Sequence, residues 1–216
     1  MDFLDIELIK GIKKDLLLEA LTHSSYSNEH KDSQNYERLE FLGDAVLELV
    51  TSEYFFKETT LKEGDMTKKR ASFVCEQALA HYAKELGIDK HIRLGHGQMG
   101  NLNDTIIADV FESILGAIYL TYGINTAKEY IYDIIIPYIE KDFIFLGDYK
   151  TKLQEYVQTD KKSLEYVLVN EFGEAHDKTF EFVVKIDGII YGRGIGKSKK
   201  EAEQNAAFDA YKKSAK

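Results

Sequence analysis

The chain has 216 residues, 44% of them hydrophobic, a length that suits two domains and a composition that supports packed cores rather than gross disorder. Its one cysteine, Cys75, excludes an internal disulfide framework, suits a reducing compartment and reads as a small buried hydrophobe. The net charge of −9 argues against nucleic acid on average, but residues 149–216 carry 13 Lys/Arg against 11 Asp/Glu while residues 1–148 carry 15 against 26, so an acidic module and a mildly basic tail are separate electrostatic objects.

The opening residues, MDFLDIELIK, lack the basic start of a signal peptide, and no apolar run reaches the length of a membrane span. A soluble cytoplasmic protein with no membrane partner is expected. Residues 1–145 read as helices throughout, over Lys14–Leu21, Tyr36–Phe56, Asp65–Leu86, Asp104–Tyr122 and Thr126–Ile139. Asp65 and Asp104 suit N-cap positions, Ser33 and Asn35 could cap the second helix, and Pro137 should kink or end the last.

The second helix carries the most information. Leu39, Leu42, Val46, Leu49 and Val50 form one stripe, the expected core face, and Glu37, Glu40, Asp44 and Glu48 share an arc of roughly 80° on the other side. Solvated faces usually interleave basic residues, and like charges at i,i+4 repel. This one-signed stripe makes most sense if a divalent cation compensates it. Phe41 lies off the core stripe beside the carboxylates, either as a partner contact or as a local core turned toward another helix.

The segment HIRLGHGQMGNLN (91–103) is glycine-rich and reads as a loop. Its His91 and His96 are surface histidines, because no cysteine or HExxH-type spacing accompanies them. In Asp104–Tyr122, Ile106, Ile107, Val110, Phe111, Ile114 and Ile118 cluster on one side, and Asp109 and Glu112 point the other way at i,i+3. If this helix met the first acidic one, Glu40, Asp44, Asp109 and Glu112 would make an oxygen cage of the kind Mg²⁺ takes.

Gly147 and Asp148 give a short connection. Beyond it the pattern is helix (Thr151–Gln158), three strands (Ser163–Glu171, Lys178–Ile186, Ile189–Gly196) and helix (Ser198–Lys213). Asp187-Gly188 suits a tight hairpin turn, and Ala202, Ala206 and Ala210 share a face of the last helix. GRGIGKS (192–198) invites a phosphate-loop reading, but Tyr191 stands where that motif needs a glycine, so no nucleotide cofactor is expected. Instead, Ser198, Lys199 and Lys200 sit at a helix N-terminus, where a phosphate backbone can be met.

ERLEFLGDAVL (Glu37–Leu47) resembles the signature of the ribonuclease III family, with every position in place. LTHSSY (Leu21–Tyr26), EGDMTKKRA (Glu63–Ala71) and DVFESILGAIYL (Asp109–Leu120) extend the likeness, and the tail resembles a double-stranded-RNA-binding domain. The resemblance implies an all-α endonuclease domain over 1–145 and an α-β-β-β-α (α+β) RNA-binding domain over 149–216. It implies a Mg²⁺-dependent endoribonuclease, with Mn²⁺ as a substitute, that cuts double-stranded RNA at staggered positions to 5′-phosphate and 3′-hydroxyl ends. Its substrates would be rRNA precursors and other structured transcripts.

By the same resemblance the metal ligands are Glu40, Asp44, Asp109 and Glu112, with Asp44 and Glu112 the least replaceable catalytic residues and Glu37 and Glu63 supporting. Phe41 contributes to a homodimer. Gln154 and Glu155 reach one minor groove, His176 in the loop Gly173–Asp177 reaches the next, and Ser198, Lys199 and Lys200 meet the phosphates between them. Lys68, Lys69 and Arg70 are either phosphate contacts or a solvated basic turn. Glu203 departs from the basic pattern of such domains and lowers the affinity expected of one module, which makes a dimer more important. A non-cleaving RNA binder on the same fold is the alternative, and it would predict damaged acidic positions.

Overall fold

The computed structural model describes residues 3–143, 145, 149–159, 162–174 and 178–214. The chain divides into two compact units, Met1–Phe143 and Ile144–Lys216. The expected connection at Gly147-Asp148 lies outside the described residues.

The first unit is helical: α1 (Glu7–Lys10), α2 (Lys14–Ala20), α3 (Ser24–Glu29), α4 (Glu37–Glu58), α5 (Glu63–Phe73), α6 (Glu76–Leu86), α7 (Asp104–Tyr122) and α8 (Ile124–Glu140), with short 3₁₀ turns at Ile88–His91 and His96–Gln98. Its centre is the pair α4–α7. Eleven residues of α7 are buried, among them Ile106, Ile107, Val110, Phe111, Ile114 and Ile118. This helix is long and apolar enough to cross a membrane, yet most of its apolar side chains are buried in the unit's own core.

The two helices touch through glycine. A Cβ added to Gly43 would stand 2.6 Å from the carbonyl carbon of Glu112 and closer still to its oxygen, and one on Gly116 would stand 3.2 Å from the carbonyl carbon of Leu39. Each glycine costs about 1 kcal/mol in helix propensity. Here that cost permits backbone-to-backbone contact.

Several expected elements shift. The core face of α4 is Leu39, Gly43, Val46, Leu47 and Val50, a rotation of roughly 50° from the expected stripe, because the helix turns its glycine toward α7. Leu49 is consequently exposed, and Leu42 is only half-buried. The single helix expected over Asp65–Leu86 is two, since Cys75 is extended (φ −74°, ψ 159°) and caps α6. The break buries Phe73, whose carbonyl accepts a bond from the Tyr82 hydroxyl at 3.2 Å. Lys62, not Asp65, precedes α5. Asn103, not Asp104, caps α7, its side chain accepting from the Ile106 N–H at 3.0 Å. Asn35 Oδ1 accepts from the Glu37 N–H at 3.2 Å. Pro137 lies inside α8, which continues to Glu140.

The second unit is α9 (Tyr149–Thr159), β1 (Leu164–Phe172), β2 (Thr179–Ile186), β3 (Ile189–Gly196) and α10 (Lys199–Ser214). The three strands form an antiparallel sheet in order β1-β2-β3. Asp187 and Gly188 both take positive φ (49° and 79°), as the favoured two-residue hairpin turn requires. Leu153, Val157, Phe182, Val184 and Ile186 pack against Ala202, Ala206, Ala207 and Ala210. Gly192 and Gly196 face that alanine surface so closely that a Cβ on either would lie 2.6 Å from the α10 backbone. These glycines serve strand-on-helix packing.

Candidate functional site

Where α4 and α7 cross, residues one to two turns from Gly43 and Gly116 are brought face to face. One carboxylate oxygen from each of Glu40, Asp109 and Glu112 lies within 4.8 Å of the other two, and all three side chains are half-buried. Among the described residues this is the one group of His, Cys, Asp or Glu side chains arranged to hold a metal ion. Asp44, one turn on from Glu40, is exposed and stands outside that trio, but its charge acts on both Glu40 and Glu112.

The electrostatics are those of an uncompensated site. Burial, then the charges of Asp44, Glu40, Asp109 and Glu48, push Glu112 from an ordinary 4.5 to about 8. Burial, then Asp109, Glu37 and Asp44, push Glu40 to about 7. Asp109 is also raised, mainly by burial, with a hydrogen bond from Tyr36 working the other way. Carboxyl groups crowded this way hold protons unless a cation takes their place. The far end of the stripe differs from expectation: Arg70 of α5 pairs with Glu48 at 2.9 Å, so a neighbouring helix supplies the basic residue that α4 lacks there.

The remaining candidates spread out. Glu37 is exposed at the start of α4. Glu63 opens α5, accepts from the Thr67 hydroxyl at 3.3 Å and lies apart from the carboxylate trio within one chain. It helps line a cleft of about 210 Å³ with Ser52, Phe55, Phe56, Met66 and Arg70. Phe41 is 81% exposed, so it belongs to no local core. With Ala45, Leu49 and Phe56 it makes a third, apolar face on α4, adjoining the acidic one. Lys69 pairs with Asp142 at 2.8 Å, and Arg70 is held by Glu48 and the Ser52 hydroxyl. His91 is half-buried, and His96 is exposed with its Nδ1 2.7 Å from Glu29.

In the second unit Gln154, Ser198, Lys199 and Lys200 are exposed. Ser198 caps α10 by accepting from the Glu201 N–H at 3.1 Å, which leaves Lys199 and Lys200 on the first turn. Glu155 is on α9, but its side chain lies outside the described residues, as does His176. Glu203 is drawn into a pair with Lys150 at 2.6 Å. Two kinds of residue escaped the sequence reading. Gly43 and Gly116 were visible as glycines inside strong helices, a known mark of close approach. Tyr36, whose hydroxyl donates to Asp109 Oδ2 at 2.9 Å across 73 positions, left no local signal.

Comparison with known proteins agrees with both units. Residues 13–139 match the family model described as Ribonuclease-III-like, and residues 149–214 match the double-stranded RNA binding motif. The class is thus a helical endoribonuclease module joined to an RNA-binding module. The chain is 45% identical over 214 residues to Ribonuclease 3 of Listeria welshimeri, covering 95% of this chain and 90% of the relative. It is 47% identical over 207 residues to that of Streptococcus gordonii, covering 92% and 89%. The solved nuclease domain of ribonuclease III from Campylobacter jejuni, described as having a flexible region involved in dimer formation, aligns with a TM-score of 0.54 at 40% identity. It covers 64% of this chain and 99% of that domain. The chain belongs to the ribonuclease III family, and it is an endoribonuclease.

Proposed function

We propose that the protein is a divalent-metal-dependent, double-strand-specific endoribonuclease, acting in the cytoplasm as a homodimer on structured RNA precursors, rRNA precursors among them. The observation that carries this reading is the meeting of Glu40, Asp109 and Glu112 across the α4–α7 crossing. A hard, all-oxygen donor set of this kind suits Mg²⁺, with Mn²⁺ as a substitute. The protons held by Glu40 and Glu112 near neutrality mark a charge deficit that such an ion would fill.

Glu40, Asp109 and Glu112 would hold the ion, and Asp44, open to solvent on the same helix face, would supply a further oxygen. Asp44 and Glu112 are the residues whose loss costs most. Bound there, the ion supplies an oriented water of lowered pKa and neutralises charge on the scissile phosphate and the leaving 3′ oxygen. Glu40 and Glu112 give up their protons as the ion binds, so binding is coupled to pH. Hydrolysis breaks the bond from phosphorus to the 3′ oxygen, leaving 3′-hydroxyl and 5′-phosphate ends.

The exposed third face of α4 supports the dimer reading. Phe41 and Phe56 stand about 22 Å apart at 1.5 Å per residue, with the exposed Leu49 between them. A two-fold axis near Leu49 sets Phe41 of one chain against the Phe56 cleft of the other, a self-complementary contact. It also carries Glu63, on that cleft, toward the partner's acidic site, the supporting role expected of it. Two such sites facing one duplex account for staggered cuts. The RNA-binding module contributes Gln154, Glu155, His176, Ser198, Lys199 and Lys200 to shape-selective contact along the minor groove and phosphates.

The test is a defined hairpin RNA incubated with and without Mg²⁺, with both product ends mapped. Cleavage of the duplex only with Mg²⁺, and binding without cleavage by Glu112→Gln, are expected. An intact duplex bound by the unaltered protein would instead identify a non-cleaving RNA binder.

A further inference from the structure

Tyr36 stands just before α4, and every polar group it has is used. Its N–H donates to the Thr22 carbonyl at 2.9 Å, and its hydroxyl donates to Asp109 Oδ2 at 2.9 Å. Its ring packs against His23, with centroids 5.8 Å apart, and the residue is only 4% exposed. The segment it leans on is itself fixed. Thr22 pairs with Arg93 in a parallel bridge, in which Arg93 N–H meets the Leu21 carbonyl at 2.8 Å and His23 N–H meets the Arg93 carbonyl at 3.0 Å. The phenol is therefore clamped from behind, with one free direction of contact, toward Asp109.

Burying a phenol against a carboxylate has a definite consequence: its hydroxyl donates to Asp109 Oδ2 and holds that oxygen in place. A carboxylate on a helix rotates about two side-chain bonds. Pinning one oxygen removes most of that freedom before any ligand arrives. Groups that orient metal-binding carboxylates from behind typically contribute 10- to 100-fold to metal affinity.

We propose that Tyr36 is a positioning residue for the metal site: its hydroxyl fixes the Asp109 carboxylate toward Glu40 and Glu112, and it ties that orientation to the Leu21–Tyr26 segment through Thr22. The inference rests on the metal reading given above. It places a residue outside the acidic set in control of that set's geometry.

The experiment is calorimetric titration of RNA-free protein with Mn²⁺, comparing the unaltered chain with Tyr36→Phe and Asp109→Asn. Tyr36→Phe keeps the ring against His23 and the backbone bond to Thr22, so a near-parental thermal midpoint is expected, together with a 10- to 100-fold weaker Mn²⁺ affinity. 3-Fluorotyrosine introduced at position 36 restores the parental affinity, because the hydroxyl returns. Tyr36→Phe binding at parental affinity while Asp109→Asn does not would overturn this inference alone. Absence of Mn²⁺ binding by the unaltered chain would remove the metal reading and this inference with it. Should Tyr36→Phe fail to fold, the ¹⁹F resonance of the fluorotyrosine protein decides. A shift that saturates with Mg²⁺ supports the role, and an unmoved resonance at saturating Mg²⁺ overturns it.

Discussion

Replacing Gly43 with alanine adds one methyl group, and the structure says where it goes. The new carbon would start 2.6 Å from the Glu112 carbonyl carbon and 3.0 Å from the Gly116 nitrogen, against an ordinary contact distance of about 3.5 Å. These obstacles are backbone, the Glu112 carbonyl oxygen nearest of all, so no side chain can swing aside, and α4 and α7 must part by about 1 Å or more. Overpacking of this kind costs about 1–3 kcal/mol, offset by up to about 1 kcal/mol from alanine's better helix propensity. At about 2–4 °C per kcal/mol, a net cost of up to about 3 kcal/mol should lower the thermal midpoint by about 10 °C at most. The effect on the site is larger. Ligand oxygens on opposite sides of one Mg²⁺ are about 4.2 Å apart, and the trio's oxygens lie within 4.8 Å of one another, so parting the helices by about 1 Å draws Glu112 away from a shared ion. A misplacement of that size can cost on the order of a hundredfold in activity. Gly43→Ala should therefore remain folded by circular dichroism, with Mg²⁺-dependent cleavage reduced ten- to a hundredfold. Parental cleavage together with a parental midpoint would refute the claim that this contact sets the site.

Two further outcomes follow from charge and shape. Glu112 and Glu40 have folded pKa values of about 8 and 7, above the ordinary 4.5, so the folded state binds protons more tightly than the unfolded one. Their contribution to stability is fully present below about pH 4.5 and is lost as pH rises through 7 and 8. The total is on the order of 5 kcal/mol, nearly all of it from Glu112, with Glu40 discounted for its exposure. In EDTA the melting midpoint should fall between pH 5 and 8.5 and do so less steeply in Glu112→Gln. A flat profile shared by both proteins would contradict the raised values. At the proposed dimer contact, Phe41→Ala removes two copies of one aromatic anchor. At about 2 kcal/mol or more for each, sedimentation should show a dimer weakened about a thousandfold, and an unchanged association would assign Phe41 no part in it.

Much of this was legible in the chain because the local signals were strong. The apolar periodicity of Asp104–Tyr122 matched the observed helix at both ends, and the alternation over Ile189–Gly196 matched β3 likewise. The carboxylates were visible as residues that no neighbour on their own helix could neutralise. What the pattern could not supply was contact between elements. The rotation of α4 depends on which helix it meets, and a wheel drawn from its leucines and valines placed Leu49 inside when it lies on the exposed apolar face. The break at Cys75 accompanies the burial of Phe73, and periodicity runs straight through it. Arg70 reaches Glu48 from another helix, and Tyr36 reaches Asp109 across the fold, so neither link has any trace in spacing. The glycines of both crossings were in plain view, yet their meaning depends on what they face.

The central claim is that Glu40, Asp109 and Glu112 form one cation site. Electron paramagnetic resonance of Mn²⁺ added to RNA-free protein near pH 7.5 tests it most directly. The account predicts saturable loss of the free-ion signal, reversal by excess Mg²⁺, and at least tenfold weaker binding in each of Glu40→Gln, Asp109→Asn and Glu112→Gln. Equal Mn²⁺ binding by all four proteins would contradict it.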